Sequence, residues 1–274
     1  MELLQLNSGT AIPQLGLGTS KSGEPDRAVA SGLEVGYRHI DTAQMYQNET
    51  AVGEGIRVSG VPRDEIFLTT KLHNPHHAPE DVHRTFEESL QRLGVDYVDL
   101  FLIHWPMPFD KTDYVDTWRT MIELRDSGRA RAIGVSNFVQ DHLDRIIEAT
   151  GVTPAVNQIE VHPTFANNEL RQYCRERGIV VTAWSPLGKG DELNLPAVRE
   201  IAERHDRTPA QVILRWHLQR GDVVIPKSDN PERQRSNFDV FSFELSPNDM
   251  DALDALDRGE DGRRSPHPND FGKE

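Results

Sequence analysis

The chain has 274 residues, a formal net charge of −14 at pH 7, and 36% hydrophobic and 27% charged residues. This composition is typical of a soluble globular protein, and no apolar run reaches the roughly 18 residues that a membrane span needs. The negative charge disfavours nucleic acid and anionic membranes as partners, because like charges repel over most of the surface.

The predicted elements begin with a short β-hairpin. No basic segment leads into an apolar stretch at the start of the chain, so we expect a cytoplasmic protein without a secretory signal. Residues 3–15 carry Asn-Ser-Gly between two apolar runs, which is typical of a hairpin. The run LGLGT, residues 15–19, then follows as the first candidate strand of a main sheet.

Strands and helices alternate from there on, and a glycine repeatedly ends a helical pattern just before an apolar run. This occurs at Gly36, Gly60, Gly94, Gly128, Gly151, Gly178 and Gly221. Glycine suits the left-handed residue that ends a helix, and Val/Ile-rich runs suit strands that are buried on both faces. The pattern predicts about eight strands, the count and order of an α/β protein with a (β/α)8 TIM barrel.

The structural alternative is a doubly wound open sheet. Such a sheet would bind a dinucleotide through G-x-G-x-x-G in its first βα turn. The segments GLGTSK and GKGDEL have the first two glycines of that motif and lack the third.

Two helical patterns lie between Gly178 and Gly221, so we expect extra helices near the C-terminus. We interpret residues 1–274 as a single domain, with an irregular polar tail over one end of the barrel.

Polar or hydrogen-bonding side chains stand at the predicted carboxyl ends of seven successive strands. They are Asp41, Lys71, His104, Ser136 with Asn137, Gln158, Trp184 and Lys227. Taken singly, each has an ordinary structural interpretation, such as Asp41 as a helix cap or His104 as a hydrogen-bonded core residue. Because the βα loops of a barrel converge at that end of the sheet, we expect these side chains to share one functional site.

The residue types indicate proton delivery to an oxygen atom. A phenol has a pKa near 10, so Tyr46 alone is a weak acid. A lysine ammonium in contact lowers that pKa and a carboxylate keeps the lysine charged, so Asp41, Lys71 and Tyr46 form a chain. A neutral His104 imidazole can donate a hydrogen bond to the same substrate oxygen. No obvious nucleophile accompanies this set, and the proton donor therefore needs a hydride source.

A metal site is the competing interpretation of the histidines at positions 73, 76, 77 and 83. They lack a ligand pattern with nearby Cys or paired carboxylates, and no H-E-x-x-H spacing occurs. We therefore expect no metal. A metal-dependent barrel hydrolase is the alternative that would require this cluster to bind an ion.

The sequence at this point resembles the aldo-keto reductase family. The resemblance rests on GYRHIDTAQMYQNE, FLTTKL, LGVDYVDLFLIHWP, IGVSNF, VNQIEVHP, AWSPLG and IPKSDNPERQRSNFDVF, which together span almost the whole chain. It implies a barrel that binds NADPH in an extended conformation without a Rossmann unit. It also implies a catalytic tetrad in which Tyr46 is the general acid, with Asp41, Lys71 and His104 as its partners.

The same resemblance implies a set of cofactor-binding residues. Ser136, Asn137 and Gln158 would hold the nicotinamide carboxamide, Trp184 would stack on its ring, Ser185 and Leu187 would line the pyrophosphate path, Lys227, Ser228 and Arg233 would meet the 2′-phosphate, and Asn237 the adenine. Lys227 and Arg233 supply the positive charge that a 2′-phosphate needs in an acidic chain. Asp229 lies close by, so we expect NADPH as the cofactor and NADH as a weaker substitute.

Substrate residues follow from the resemblance too, and they are Ser20, His73, Trp105 and Phe109. The chain is most similar to the prokaryotic group that includes the 2,5-diketo-D-gluconate reductases. This implies a monomeric, NADPH-dependent reductase of small aldehydes, dicarbonyls or keto-sugars, with a small-molecule carbonyl as its partner. The alternative function is an NADPH-binding sensor or structural member without significant turnover.

Overall fold

The computed structural model describes residues 2–273. Its strands are β1 (Leu3–Gln5), β2 (Ala11–Pro13), β3 (Leu17–Gly18), β4 (His39–Asp41), β5 (Phe67–Leu72), β6 (Val98–Ile103), β7 (Ala130–Ser136), β8 (Val156–Glu160), β9 (Val180–Trp184) and β10 (Val223–Val224). Its α-helices are α1 (Pro25–Val35), α2 (Glu49–Ser59), α3 (Pro79–Leu93), α4 (Tyr114–Asp126), α5 (Gln140–Thr150), α6 (Asn168–Glu176), α7 (Pro196–His205), α8 (Pro209–Gln219), α9 (Pro231–Phe238) and α10 (Pro247–Asp254). Within that span, no helix is long and apolar enough to cross a membrane.

Strands β3 to β10 form one eight-stranded sheet in the order of the sequence. All neighbouring strands in it run parallel. Parallel bridges join Leu15 to Val224 and Gly18 to Lys227, so the first and last strands also meet. The Gly16 amide donates a hydrogen bond of 2.8 Å to the Val224 carbonyl at the same junction. The curled parallel sheet therefore closes as a barrel, and the predicted strand order is confirmed.

The predicted hairpin is present and lies at the amino end of the barrel strands. Strands β1 and β2 pair antiparallel, with Leu3 opposite Pro13. The Asn7 side-chain amide donates a hydrogen bond of 3.0 Å to the carbonyl of Pro154, just before β8 begins. The hairpin thus covers the end of the barrel opposite to the carboxyl ends of the strands.

Helix ends and strand burial follow the predicted chemistry. Gly60, Gly94 and Gly151 end α2, α3 and α5 with φ values of 69°, 66° and 70°, where a residue with a Cβ would be strained. Every residue of β5 and of β6 is buried, as strands that are covered on both faces require. The local sequence pattern therefore reflects the real positions of these elements.

Some predicted boundaries differ from the structure. Strand β3 is shorter than the predicted run of residues 15–19, and β8 continues past Gln158 to Glu160. Lys227 lies beyond β10, although its bridge to Gly18 keeps it beside the sheet. At this junction the first and last strands are joined by isolated bridges. An apolar run in the sequence does not show whether its residues form such bridges or a continuous strand.

The extra helices and the tail lie where they were expected. Both α7 and α8 occupy the interval between Gly178 and Gly221. In the tail, the backbone amides of Arg264 and Ser265 donate to the Glu160 carboxylate at distances of 2.9 and 3.1 Å. The tail therefore lies over the carboxyl end of the barrel.

Gly53 of α2 lies where α2 and α3 pack closely together. A Cβ added at Gly53 would lie 2.3 Å from the Leu93 carbonyl oxygen. We expect Gly53→Ala to lower the free energy of unfolding by about 2 kcal/mol, although alanine is the better helix former by about 1 kcal/mol. Urea denaturation measures the change. Gly23→Ala is the control, because nothing lies within 4 Å of an added Cβ there; a stabilised Gly53→Ala protein would contradict the packing argument.

Candidate active site

A buried ion pair lies at the centre of the carboxyl end of the barrel. Lys71 on β5 and Asp41 at the end of β4 face each other because the two strands are parallel neighbours. Lys71 Nζ donates to Asp41 Oδ1 at 2.5 Å and to the Thr42 carbonyl at 2.9 Å. Burial opposes the lysine charge, but Asp41 and Tyr46 together outweigh burial and raise the pKa of Lys71. Lys71 is therefore an ammonium.

Tyr46 lies beside this pair in the short 3-10 helix Gln44–Tyr46 that follows β4. Lys71 Nζ is 5.2 Å from the centroid of the phenol ring. Burial raises the pKa of Tyr46, and the Lys71 ammonium lowers it only in part. The Lys71 charge thus lowers the pKa of Tyr46, as predicted, but burial raises that pKa by more. The predicted net lowering of the Tyr46 pKa is therefore wrong. The phenol is protonated at neutral pH.

His104 follows β6 and completes the group. Its ring meets the Tyr46 ring edge-on, with 5.8 Å between the centroids. Burial, together with the nearby charge of Lys71, holds the pKa of His104 well below its usual range. Within residues 2–273, its buried Nδ1 atom has no hydrogen-bond partner. The imidazole is therefore neutral, as predicted, and can act as a hydrogen-bond donor rather than as a cation.

A second set of polar side chains surrounds the first. Asn137 adopts a left-handed backbone with φ of 62° and donates from Nδ2 to the His104 carbonyl at 2.9 Å. Its Oδ1 accepts a hydrogen bond of 2.9 Å from the Trp184 indole. The Ser136 hydroxyl donates to the Gln158 carbonyl at 2.8 Å. A strained backbone held by several contacts is typical of functional sites.

One contact that the sequence did not reveal joins the two sets. Gln158 Nε2 donates to Asp41 Oδ2 at 2.8 Å, across 117 residues of chain. Asp41 therefore uses one oxygen for Lys71 and the other for Gln158. The orientation of the carboxylate that holds the lysine is fixed by a residue from the opposite side of the barrel.

Two adjoining cavities open above these residues. The smaller, about 380 Å³, is lined among others by Ser20, Asp41, Tyr46, His104, Trp105, Ser136, Asn137, Gln158 and Trp184. The larger, about 780 Å³, is lined among others by Leu187, Ser228, Arg233 and Asn237. Ser185, Pro186, Lys189 and Lys227 line both. All the predicted cofactor residues thus lie along one continuous cleft. Sequence reasoning missed Lys189, although its position between two glycines marks an irregular loop.

Opposite charges meet within this cleft. Lys227 Nζ lies 2.9 Å from Asp229 Oδ2. Asp229 also accepts hydrogen bonds from the Ser22 hydroxyl at 2.6 Å and the Gly23 amide at 3.1 Å. Burial opposes ionisation, but these contacts outweigh it and lower the pKa of Asp229. Asp229 is a carboxylate that links the loop after β3 to Lys227.

The predicted substrate residues divide into two groups. Ser20 and Trp105 line the smaller cavity. His73 lies against His76, with 5.8 Å between the ring centroids, and Phe109 is 52% exposed, so neither belongs to that lining. Phe271 of the tail stacks on Trp105 with 4.1 Å between the centroids. No local pattern signals this stack, because the two rings come from distant parts of the chain.

The four neighbouring histidines are not gathered around a common point. His77 is buried and bonded to Thr117, whereas His83 is exposed and lies 3.1 Å from Glu123. In residues 2–273, no group of three or more His, Cys, Asp or Glu side chains is arranged to hold a metal ion. The geometry offers no support for the hydrolase alternative.

The fold and the cleft define an α/β barrel with a largely buried group of Asp41, Tyr46, Lys71 and His104 beside an elongated, partly basic cavity. The model of the aldo/keto reductase family matches residues 9–258. An aldo-keto reductase of Mycolicibacterium smegmatis is 52% identical over 270 residues, which cover 98% of this chain and 97% of the relative. The chain therefore belongs to the aldo/keto reductase family.

Two further similarities bear on chemistry. The glyoxal reductase of Bacillus subtilis is 46% identical over 273 residues, covering 98% of this chain and 97% of that protein. The crystal structure of a Gox0644 mutant in complex with NADPH has a TM-score of 0.93 and 46% identity, covering 98% of this chain and 97% of that one.

The ion pair yields a stability prediction. Lys71→Met leaves the Asp41 carboxylate buried with no cation beside it, and we expect a loss of about 3–5 kcal/mol in the free energy of unfolding. The double variant Asp41→Asn/Lys71→Met removes both charges and should lose much less. Urea denaturation of the two single variants and the double variant measures the coupling. Additive losses would show that the two charges do not stabilise each other.

Proposed function

We propose that this chain is an NADPH-dependent reductase of aldehydes and ketones, in which Tyr46 is the general acid. The observation that carries the proposal is the grouping of Tyr46, His104 and the Asp41–Lys71 pair at one cavity that continues into a basic cleft. Membership of the family and the NADPH complex of a similar structure support the same conclusion.

The cleft fits the cofactor by its own chemistry. Lys227 and Arg233 place two cations at the end where a 2′-phosphate would need them. The other end offers the Trp184 indole as a flat surface, with the amides of Asn137 and Gln158 beside it. We assign Ser136, Asn137, Gln158 and Trp184 to the nicotinamide, Ser185 and Leu187 to the pyrophosphate, Lys227, Ser228 and Arg233 to the 2′-phosphate, and Asn237 to the adenine. Bound NADPH would supply the hydride.

The remaining chemistry belongs to the tetrad. Tyr46 donates its phenolic proton to the substrate oxygen, and the Lys71 ammonium stabilises the phenolate that remains. Asp41 keeps Lys71 charged and in place. His104 is neutral, so it can donate a hydrogen bond to the same oxygen and orient it.

The smaller cavity suits a compact carbonyl compound. Its volume of about 380 Å³ lies at the lower end for small-molecule sites. Trp105 supplies an apolar wall and Ser20 a hydroxyl, a mixture that suits small aldehydes, dicarbonyls and keto-sugars. The name of the glyoxal reductase relative supports the dicarbonyl class. From the sequence pattern we further infer a single-domain, monomeric, cytoplasmic enzyme that is close to the 2,5-diketo-D-gluconate reductase group and uses NADH more weakly than NADPH.

The decisive test removes one oxygen atom. We expect Tyr46→Phe to bind NADPH as tightly as the unsubstituted protein and to lose at least about a hundredfold in kcat with a small aldehyde, because the proton donor is gone. NADPH oxidation and a direct binding titration measure the two effects. Tyr97→Phe is the control, since Tyr97 stacks with Arg63 and Arg131 away from the cavities.

Full activity of Tyr46→Phe would exclude the proposed mechanism. NADPH binding without turnover of any carbonyl by the unsubstituted protein would instead favour the sensor alternative.

Asp229 provides a test of cofactor preference. Its carboxylate competes with a 2′-phosphate for Lys227, from which it is separated by 2.9 Å. We expect Asp229→Asn to raise the ratio of kcat/KM for NADPH over NADH by about tenfold, which corresponds to about 1.4 kcal/mol. Ser22→Ala removes only a neutral hydrogen bond to the same carboxylate and should leave the ratio within about twofold. If Asp229→Asn left the ratio of kcat/KM for NADPH over NADH unchanged, Lys227 would not be the residue that binds the 2′-phosphate.

A further inference from the structure

A second buried ionic group lies next to the cleft, and the proposed reaction does not use it. We call Glu160, His162, Glu192 and Arg264 the His162 cluster. His162 Nε2 lies 3.2 Å from Glu160 Oε1, and His162 Nδ1 lies 2.6 Å from Glu192 Oε1. At most 1% of each of these three side chains is exposed. Thr164 also donates its hydroxyl proton to Glu192.

The buried carboxylates of the His162 cluster are paired with cationic side chains. Burial opposes the imidazolium, but the two carboxylates outweigh it and raise the pKa of His162. Hydrogen bonds to His162 and neighbouring groups outweigh burial for the carboxyls too and lower the pKa of Glu160 and Glu192. Arg264 Nη2 lies 3.7 Å from Glu192 Oε1. Arg264 Nη1 lies closer to a third carboxylate, at 2.5 Å from Oδ2 of the exposed Asp191. The two buried carboxylates thus face His162 and share Arg264 with Asp191, and such pairing is the condition for burying these groups.

The members of the cluster come from three segments. Glu160 ends β8 and is the registered partner of Trp184 on β9. Glu192 belongs to the 3-10 segment Gly188–Asn194. Arg264 and Ser265 belong to the tail, and their backbone amides donate to Glu160. The cluster therefore connects the sheet, a loop and the tail at one buried point.

The loop segment forms part of the cofactor cleft. Lys189, Gly190 and Leu193 line the larger cavity, and Lys189 also lines the smaller one. Gly188, Lys189 and Gly190 have φ values of 54°, 56° and 95°. A Cβ at Gly188 would lie 2.5 Å from Glu192 Cδ, so the glutamate side chain crosses over this glycine to reach His162. Glu192 thereby anchors an irregular segment to the core.

The tail supports a residue that lines the smaller cavity. From Ser265 it continues to Phe271, which stacks on Trp105 of the smaller cavity. Its beginning packs closely on the loop after β8, since a Cβ added at Gly262 would lie 1.8 Å from the Thr164 carbonyl oxygen. The segment that lines the cofactor cleft and the segment that packs on Trp105 therefore share one anchor.

We propose that the His162 cluster couples these two segments, so that His162 and Glu192 are positioning residues for the cofactor and the carbonyl compound together. The inference rests on the proposed NADPH-dependent function of the cleft. Neither residue lines the cavities, and both act through the backbone that they hold.

The first test needs no ligand. Hydrogen–deuterium exchange is compared between the unsubstituted protein, His162→Gln and Glu192→Gln. Glu192→Gln is the milder change, because His162→Gln leaves two carboxylates beside one arginine. In each variant we expect residues 188–194 and 264–271 to lose protection together. Loss of protection in only one of these two segments would overturn the coupling.

The second test separates positioning from stability. NADPH binding is followed by quenching of tryptophan fluorescence, and we expect Glu192→Gln to raise the dissociation constant by about tenfold. At saturating NADPH, KM for a small aldehyde should rise severalfold while kcat stays within about twofold. Asp99→Asn is the matched control, because Asp99 is a buried carboxylate that pairs with Arg63 at 2.8 Å and Arg131 at 3.2 Å, near the amino end of β6.

The control should lose stability without weaker NADPH binding. Equal rises in the dissociation constant for Glu192→Gln and Asp99→Asn, or no rise in Glu192→Gln, would overturn the proposal. If the unsubstituted protein bound no NADPH, the proposed function would fail, and the exchange experiment would still decide whether the cluster couples the two segments.

Discussion

The burial of the Lys71 ammonium is the constraint on which the site depends. A charge with no exposed surface is tolerated only when a counter-ion and hydrogen-bond acceptors surround it, and Asp41 and the Thr42 carbonyl supply both. Asp41 can do so only while β4 and β5 keep their register, because a shift of one residue would turn its side chain to the other face of the sheet. The chemistry of the site is thus fixed by strand alignment, well below the surface on which a substrate would bind.

Hydrogen bonds fix the positions of the other site residues around the barrel in the same way. Gln158 holds the second oxygen of Asp41, and Asn137 holds both the backbone of His104 and the indole of Trp184. Residues assigned to the cofactor and residues assigned to catalysis therefore belong to one hydrogen-bonded framework. The framework fixes the relative positions of these polar groups, and preorganised polar groups are the usual source of electrostatic catalysis.

Much of this could be predicted because it is local. The order of the strands follows from glycines that end helices, and the polar residues at the strand ends stand directly after apolar runs. The pattern could not show how far burial shifts an acid, which is why the expected fall in the pKa of Tyr46 was wrong. It also could not show pairings between distant residues, such as Gln158 with Asp41 across the barrel, or Glu192 with His162 in the segments after neighbouring strands. Those contacts are created by the tertiary fold and leave no periodic trace in the sequence.

The stack of Phe271 on Trp105 has a practical consequence for handling the protein. A bulky group attached to the tail near Phe271 would disturb the ring that packs on Trp105, a residue of the smaller cavity. The β1–β2 hairpin lies at the opposite end of the barrel, where Asn7 is bonded to the Pro154 carbonyl. Fluorophores and other surface attachments therefore belong on the hairpin side of the barrel, away from both cavities.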